Sequence, residues 1–100
     1  MRKSGEHLYI IQSAVTGAVK IGRSNDVEKR LKQLQTGSPY RLVLLAKFEN
    51  KGCVEIHLHR ELARYKSVMQ GEWFSYLCLP NLPDWIYEKL PFDDMWWKQK

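Results

Sequence analysis

The chain has 100 residues, a formal net charge of +5, 44% hydrophobic and 27% charged residues. These proportions fit one soluble globular domain and leave no room for a disordered, collagen-like or two-domain protein. The longest apolar runs, such as Leu42-Val43-Leu44-Leu45-Ala46, fall far short of the ~20 residues a membrane span needs.

The excess positive charge lies entirely in residues 1–50, which hold nine Lys/Arg against four Asp/Glu; residues 51–100 hold seven of each. Charge concentrated in this way suits a polyanion partner, with nucleic acid the commonest. The plainer reading is a solvated basic face.

In chain order, residues 7–11 and 18–22 are rich in strand formers and flank Thr16-Gly17, which is turn chemistry, so they predict a β-hairpin. Leu8 and Ile10 alternate with Tyr9 and Ile11, so the first strand is apolar on both faces and reads as a central strand. A helix is expected from Asp26 to about Gln35, capped by Asn25 with Glu28 completing a capping-box pattern. Val27, Leu31 and Leu34 form its buried stripe. Gly37 reads as a left-handed terminal residue, and Pro39 prevents continuation.

A third strand follows over residues 41–48, with Leu42, Leu44, Ala46 and Phe48 on one face. Residues 53–65 predict a second helix whose stripe is Val54, Leu58, Leu62 and Tyr65. Gly71-Glu72-Trp73-Phe74 opens a compact segment that packs its aromatics on the core. A last helix starts at Pro83-Asp84 and stops before Pro91. The order β-β-α-β-α-α describes an α+β domain over residues 1–100 with a small three-stranded, mainly antiparallel sheet flanked by helices.

Four residues could share one chemistry. Opposed residues of a hairpin point to the same face, so Tyr9 and Lys20 lie together in either plausible register. An ammonium beside a phenol favours its proton loss, making a base; the plainer reading is a structural cross-strand pair. Arg30 borders the apolar stripe of the first helix, where a guanidinium fork can grip phosphate or simply reach water over its packed stem. Glu55 falls within about 20° of Leu62 on the second helix, with His59 one turn on. One carboxylate of this kind can hold Mg²⁺, or can merely pair with the histidine on a helix surface. Cys53, His57, His59 and Cys78 lack the paired spacing of a zinc site, and the two cysteines form no disulfide framework. With no apolar leader at residue 1, a reducing, cytoplasmic setting is expected.

His7-Leu8-Tyr9, Lys20-Ile21-Gly22, the stretch from Gly22 to Arg30, and Glu55 opening Glu-x-x-Leu-His together resemble the GIY-YIG nuclease superfamily. Leu34-Gln35-Thr36-Gly37-Ser38-Pro39-Tyr40 and Gly71-Glu72-Trp73-Phe74 resemble its phage and bacterial stand-alone branch, and the likeness spans about residues 7–77. It departs from the family pattern at His7, which stands for the first glycine, and at Lys20, which stands for the second tyrosine. Asn81 is the nearest counterpart to a late asparagine.

The resemblance implies metal-dependent hydrolysis of DNA to a 5′-phosphate and a 3′-hydroxyl. Tyr9 would be the general base, Lys20 its helper, Arg30 the phosphate ligand, Glu55 the Mg²⁺ or Mn²⁺ ligand, and His59 an auxiliary. Arg23, Lys29, Lys32 and Arg41 would contact the DNA backbone, and Glu72 would be either a second metal ligand or a local contact. With so small a domain, either specificity is low, or DNA structure is what is recognised, or a homodimer or partner supplies the targeting. Two other classes of function fit the same sequence. One is a non-catalytic DNA- or RNA-binding module on this scaffold; the other is an interaction protein using Trp85, Trp96 and Trp97.

Overall fold

The computed structural model describes residues 5–66 and 73–91, so Glu72, Trp96 and Trp97 lie outside the described residues. The strands are β1 His7–Ser13, β2 Val19–Ser24, β3 Leu42–Phe48 and β4 Trp73–Phe74, and the helices are α1 Val27–Thr36, α2 Glu55–Glu61 and α3 Asp84–Tyr87. The strands form one antiparallel sheet in the order β3-β1-β2-β4. The class is α+β, with one strand more than the sequence predicts. A two-residue strand carries no alternation to read, and β4 is defined only by its pairing with Val19 and Lys20.

β1 is central and buried on both faces. Leu8 and Ile10 enter a core with Val19, Ile21, Leu58 and Phe74, while Tyr9 and Ile11 enter another with Val27 and Leu42. Helix α1 therefore covers one face of the sheet. Helix α2, the 3₁₀ segment Tyr76–Asn81 and α3 cover the other. Burial of each such large side chain contributes about 1.5–3 kcal/mol, so the hairpin is the best-anchored part of the domain. Its turn depends on Gly17 at φ 81°, and the buried Gln12 amide donates to the Gly17 carbonyl at 3.0 Å.

The sequence expectation for β3 is corrected by a bulge. Ile11 pairs with Leu44 but Ile10 with Ala46, leaving Leu45 as the extra residue. Leu42 and Leu44 thus pack toward α1, whereas Ala46 and Phe48 pack on the opposite core. An inserted residue moves every later side chain to the other face, which simple alternation cannot anticipate.

The ends of α1 also differ from expectation. Asp26, not Asn25, is the N-cap, and its carboxylate accepts from the Lys29 amide at 3.1 Å. An anionic cap gains from the helix dipole as well as from the hydrogen bond. Gly37 sits at φ −89°, outside the left-handed region. The exit is held instead by the Gln35 amide, which donates to the Tyr40 carbonyl and accepts from the Leu42 amide.

The expected helix over residues 53–65 divides into a 3₁₀ turn Gly52–Val54, α2, and a second 3₁₀ turn Ala63–Tyr65. The second turn lets the chain leave the helix and meet β4, where the Ser75 amide donates to the Tyr65 carbonyl at 2.7 Å and Lys66 bridges Phe74. The last helix is α-helical only over Asp84–Tyr87 and continues as hydrogen-bonded turns to Leu90.

Both cysteines are free; Cys53 is exposed, and burial pushes the Cys78 thiol up to about 12. Among the described residues, no helix is long and apolar enough to cross a membrane.

Candidate functional site

The register of the hairpin pairs Tyr9 with Gly22 and Ile11 with Lys20. Tyr9 and Lys20 consequently share the α1 face of the sheet, diagonal to each other across the two strands. Both are almost wholly buried, at 2% and 5% exposure. The hydroxyl end of the Tyr9 ring lies over Gly22, so closely that a Cβ there would meet its Cζ at 2.5 Å. Only glycine leaves that space, and the phenol is thereby laid against the β2 backbone.

On its other flank Tyr9 pairs with Lys47, whose ammonium is 3.7 Å from Glu28 of α1. This ion pair marks the edge of α1 that faces β3. Glu28 and Gln35 occupy the edge of α1 toward β3, so Arg30 and Gln33, on the opposite edge, overlook β2 and β4. Arg30 is half-buried there and donates to Gln33 at 3.4 Å. Beneath that edge, Trp73 of β4 stands opposite Lys20, and the Lys20 ammonium lies 5.9 Å from its ring centroid. A cation over an indole face gains electrostatically, more so when desolvated.

Glu55 and His59 reach the same strand around its free edge. β4 pairs only with Val19 and Lys20, so the Ile21 carbonyl lies past its end. His59 Nε2 is 2.7 Å from that carbonyl and 3.3 Å from Glu55 Oε2. Both partners only accept, which fixes the proton on Nε2. The imidazole also stands edge-on to Phe74, with ring centroids 5.0 Å apart. Phenol and imidazole therefore flank one peptide unit, Ile21–Gly22, from the face and from the edge.

His59 should be worth its hydrogen bond to the fold. A His59→Phe variant is expected to lose about 1–3 kcal/mol in urea unfolding, because the Ile21 carbonyl is left unpaired. His59→Gln, which keeps a donor, should recover part of that loss.

The donor set admits a hard divalent ion of the Mg²⁺ kind. Glu55 is half-buried, and its Oε1 takes no partner among the described residues. Mg²⁺ commonly takes one or two carboxylates and fills its other positions with water and substrate phosphate, so one such oxygen is a sufficient protein ligand. No cluster of three or more His, Cys, Asp or Glu positioned to hold a metal occurs among the described residues.

The four basic residues expected at a DNA interface do not share one face. Lys29 and Lys32 lie on the exposed back of α1. Arg23 points to the α2 side of the sheet, 3.4 Å from Glu6. Arg41 is exposed at the start of β3, at the opposite end of the hairpin. Asn81 donates to the Tyr65 hydroxyl at 3.0 Å and to the Leu77 carbonyl, tying neighbouring 3₁₀ segments together rather than entering this site. His7, standing where the first tripeptide would have glycine, accepts from the Asn50 amide through Nδ1 at 3.0 Å and so anchors the turn after β3.

Fold and site together define a small α+β domain in which Tyr9 and Lys20 share one face of the hairpin and the Glu55–His59 pair meets β2 at the Ile21 carbonyl. The chain belongs to the T5orf172 domain family, whose model matches residues 6–87; this is a phage-associated domain found in nuclease-like proteins. No curated protein and no solved structure matches the chain significantly.

Proposed function

We propose that this chain is a divalent-metal-dependent DNA endonuclease of GIY-YIG type. The observation that supports the reading is that Tyr9 and Lys20 share one face of the hairpin while His59, beside Glu55, reaches the Ile21 carbonyl of the same strand, with Arg30 on the edge of α1. Hydrolysis of a phosphodiester needs a base for the attacking water, cations around the charged phosphoryl oxygens and stabilisation of the departing oxygen. These residue types meet those needs.

Arg30 binds two nonbridging oxygens through its fork and orients the phosphorus toward β2. Tyr9, as the phenolate, accepts the water proton as the new P–O bond forms and becomes the neutral phenol. Lys20 keeps positive charge beside the phenol while it does so. The bond to the 3′-oxygen then breaks, leaving a 5′-phosphate and a 3′-hydroxyl once that oxygen takes a proton from solvent. His59, whose Nε2 proton goes to the Ile21 carbonyl, stands 3.3 Å from the Glu55 carboxylate and lines the space beside it. Glu55 would hold Mg²⁺ or Mn²⁺, which when bound supplies Lewis-acid neutralisation of charge on the leaving oxygen.

Incubation of the full chain with supercoiled plasmid tests this. Nicking is expected with Mg²⁺ or Mn²⁺ and not with EDTA, and it should fall at least about 100-fold in Arg30→Ala, the scale typical of removing a group that stabilises transition-state charge. Binding without cleavage across divalent ions would overturn the proposal. It would support a second reading, a non-catalytic nucleic-acid-binding module, which the near-complete burial of Tyr9 and Lys20 favours.

A further inference from the structure

An open cavity of about 400 Å³ lies beside the candidate site, between the C-terminal half of α1 and the sheet. Two aromatic residues, Tyr40 and Trp73, form part of its wall, together with Gln33, Leu34 and Leu42. The cavity adjoins two of the cations described above. Gln33 takes the Arg30 guanidinium on its Oε1, and the Trp73 ring lies by the Lys20 ammonium.

Its polar groups divide into two kinds. The Ser13 hydroxyl accepts from the Val15 and Thr16 amides, and the Ser38 hydroxyl donates to the Tyr40 carbonyl, so both serve the local turns. By contrast the Gln33 Nε2, the Tyr40 hydroxyl and the Trp73 Nε1 take no hydrogen-bond partner among the described residues. Tyr40 is 42% exposed, so its ring is accessible to a ligand entering the cavity. Aromatic surface, an amide and a hydroxyl next to the Arg30 guanidinium, the proposed phosphate ligand, suit a flat heteroaromatic ring with hydrogen-bonding edges, joined to a phosphate.

We propose that the cavity receives one unstacked nucleobase of the bound strand, so that the preferred substrate is DNA carrying an unpaired nucleotide. The inference rests on the DNA-cleavage reading above. A base inside a duplex has both faces stacked and its edge paired, and it can enter only after extrusion. That cost is least where the nucleotide is already unpaired. Stacking on an aromatic side chain then favours the bulged substrate without any sequence code.

The test is a binding titration in EDTA, where no cleavage occurs. The full chain is titrated into two labelled duplexes, one fully matched and one with a single bulged 2-aminopurine. The bulged duplex is expected to bind about tenfold tighter, within the range of base–aromatic stacking, and its 2-aminopurine fluorescence should be quenched. Tyr40→Ala should remove most of the preference, and Tyr40→Phe should keep it, with thermal melting confirming that each variant folds.

Equal affinity for the two duplexes, no quenching by the wild type, or a preference that survives in Tyr40→Ala would overturn the inference. So would equal quenching of a free 2-aminopurine deoxynucleoside monophosphate, which would make the cavity a mononucleotide site. The wild-type quenching needs no variant, so a misfolded Tyr40→Ala leaves the inference decidable. Matched-duplex binding with metal-dependent nicking but no bulge preference defeats this inference alone. Failure to bind either duplex defeats the parent reading with it.

Discussion

A Glu55→Gln variant is expected to bind DNA in EDTA as the wild type does and to nick supercoiled plasmid at least about 100-fold more slowly with Mg²⁺. The substitution is nearly isosteric. The imidazole, 3.3 Å from the carboxylate, is held by its own 2.7 Å hydrogen bond to the Ile21 carbonyl and so keeps its place. What disappears is the negative charge that a hard cation requires. Because Glu55 is half-buried rather than part of the core, the urea midpoint should change little. The measurements are plasmid relaxation, fluorescence anisotropy and urea unfolding on the same preparations. Undiminished nicking by Glu55→Gln would remove Glu55 as the metal ligand and with it the proposed chemistry.

The hairpin was legible because its residues speak locally. The apolar, strand-forming run from Leu8 to Ile11 and the turn at Thr16-Gly17 determine both the central strand and the shared face of Tyr9 and Lys20, whichever register is chosen. The stripe of Val27, Leu31 and Leu34 likewise put Arg30 at a helix edge, but which edge overlooks which strand follows only from the Glu28–Lys47 contact. Contacts between distant segments were not legible. The pairing of Lys20 with Trp73 depends on β4, which is too short to carry a pattern, and the Leu45 bulge reverses the faces of Ala46 and Phe48. The hydrogen bond from His59 to the Ile21 carbonyl spans 38 residues and has no spacing signature. Gln33 and Tyr40 read in the sequence only as a helix residue and the end of a loop motif, since only the folded chain shows that they border one cavity.

The approach of Tyr9 to Gly22 gives the strongest structural prediction. Gly22→Ala is expected to cost about 1–3 kcal/mol in urea unfolding, the range for overpacking a filled core. The added methyl would meet the Tyr9 ring at Cζ, 2.5 Å away, and at Cε1, 3.0 Å away. The ring cannot simply swing aside, because it is 2% exposed and is packed with Ile11, Val27 and Leu31 beneath α1. Removing the hydroxyl alone does not relieve the contact, since the ring carbon stays in the way. The double variant Gly22→Ala/Tyr9→Phe should therefore remain destabilised relative to Tyr9→Phe, by a similar amount. A merely electrostatic role for Gly22 predicts the opposite, with full recovery once the oxygen is gone. Any Gly22→Ala protein that still folds has its phenol displaced from the Ile21–Gly22 peptide, so nicking should fall together with stability. A Gly22→Ala variant with wild-type stability and undiminished nicking would show that the close seating of the ring on β2 matters to neither.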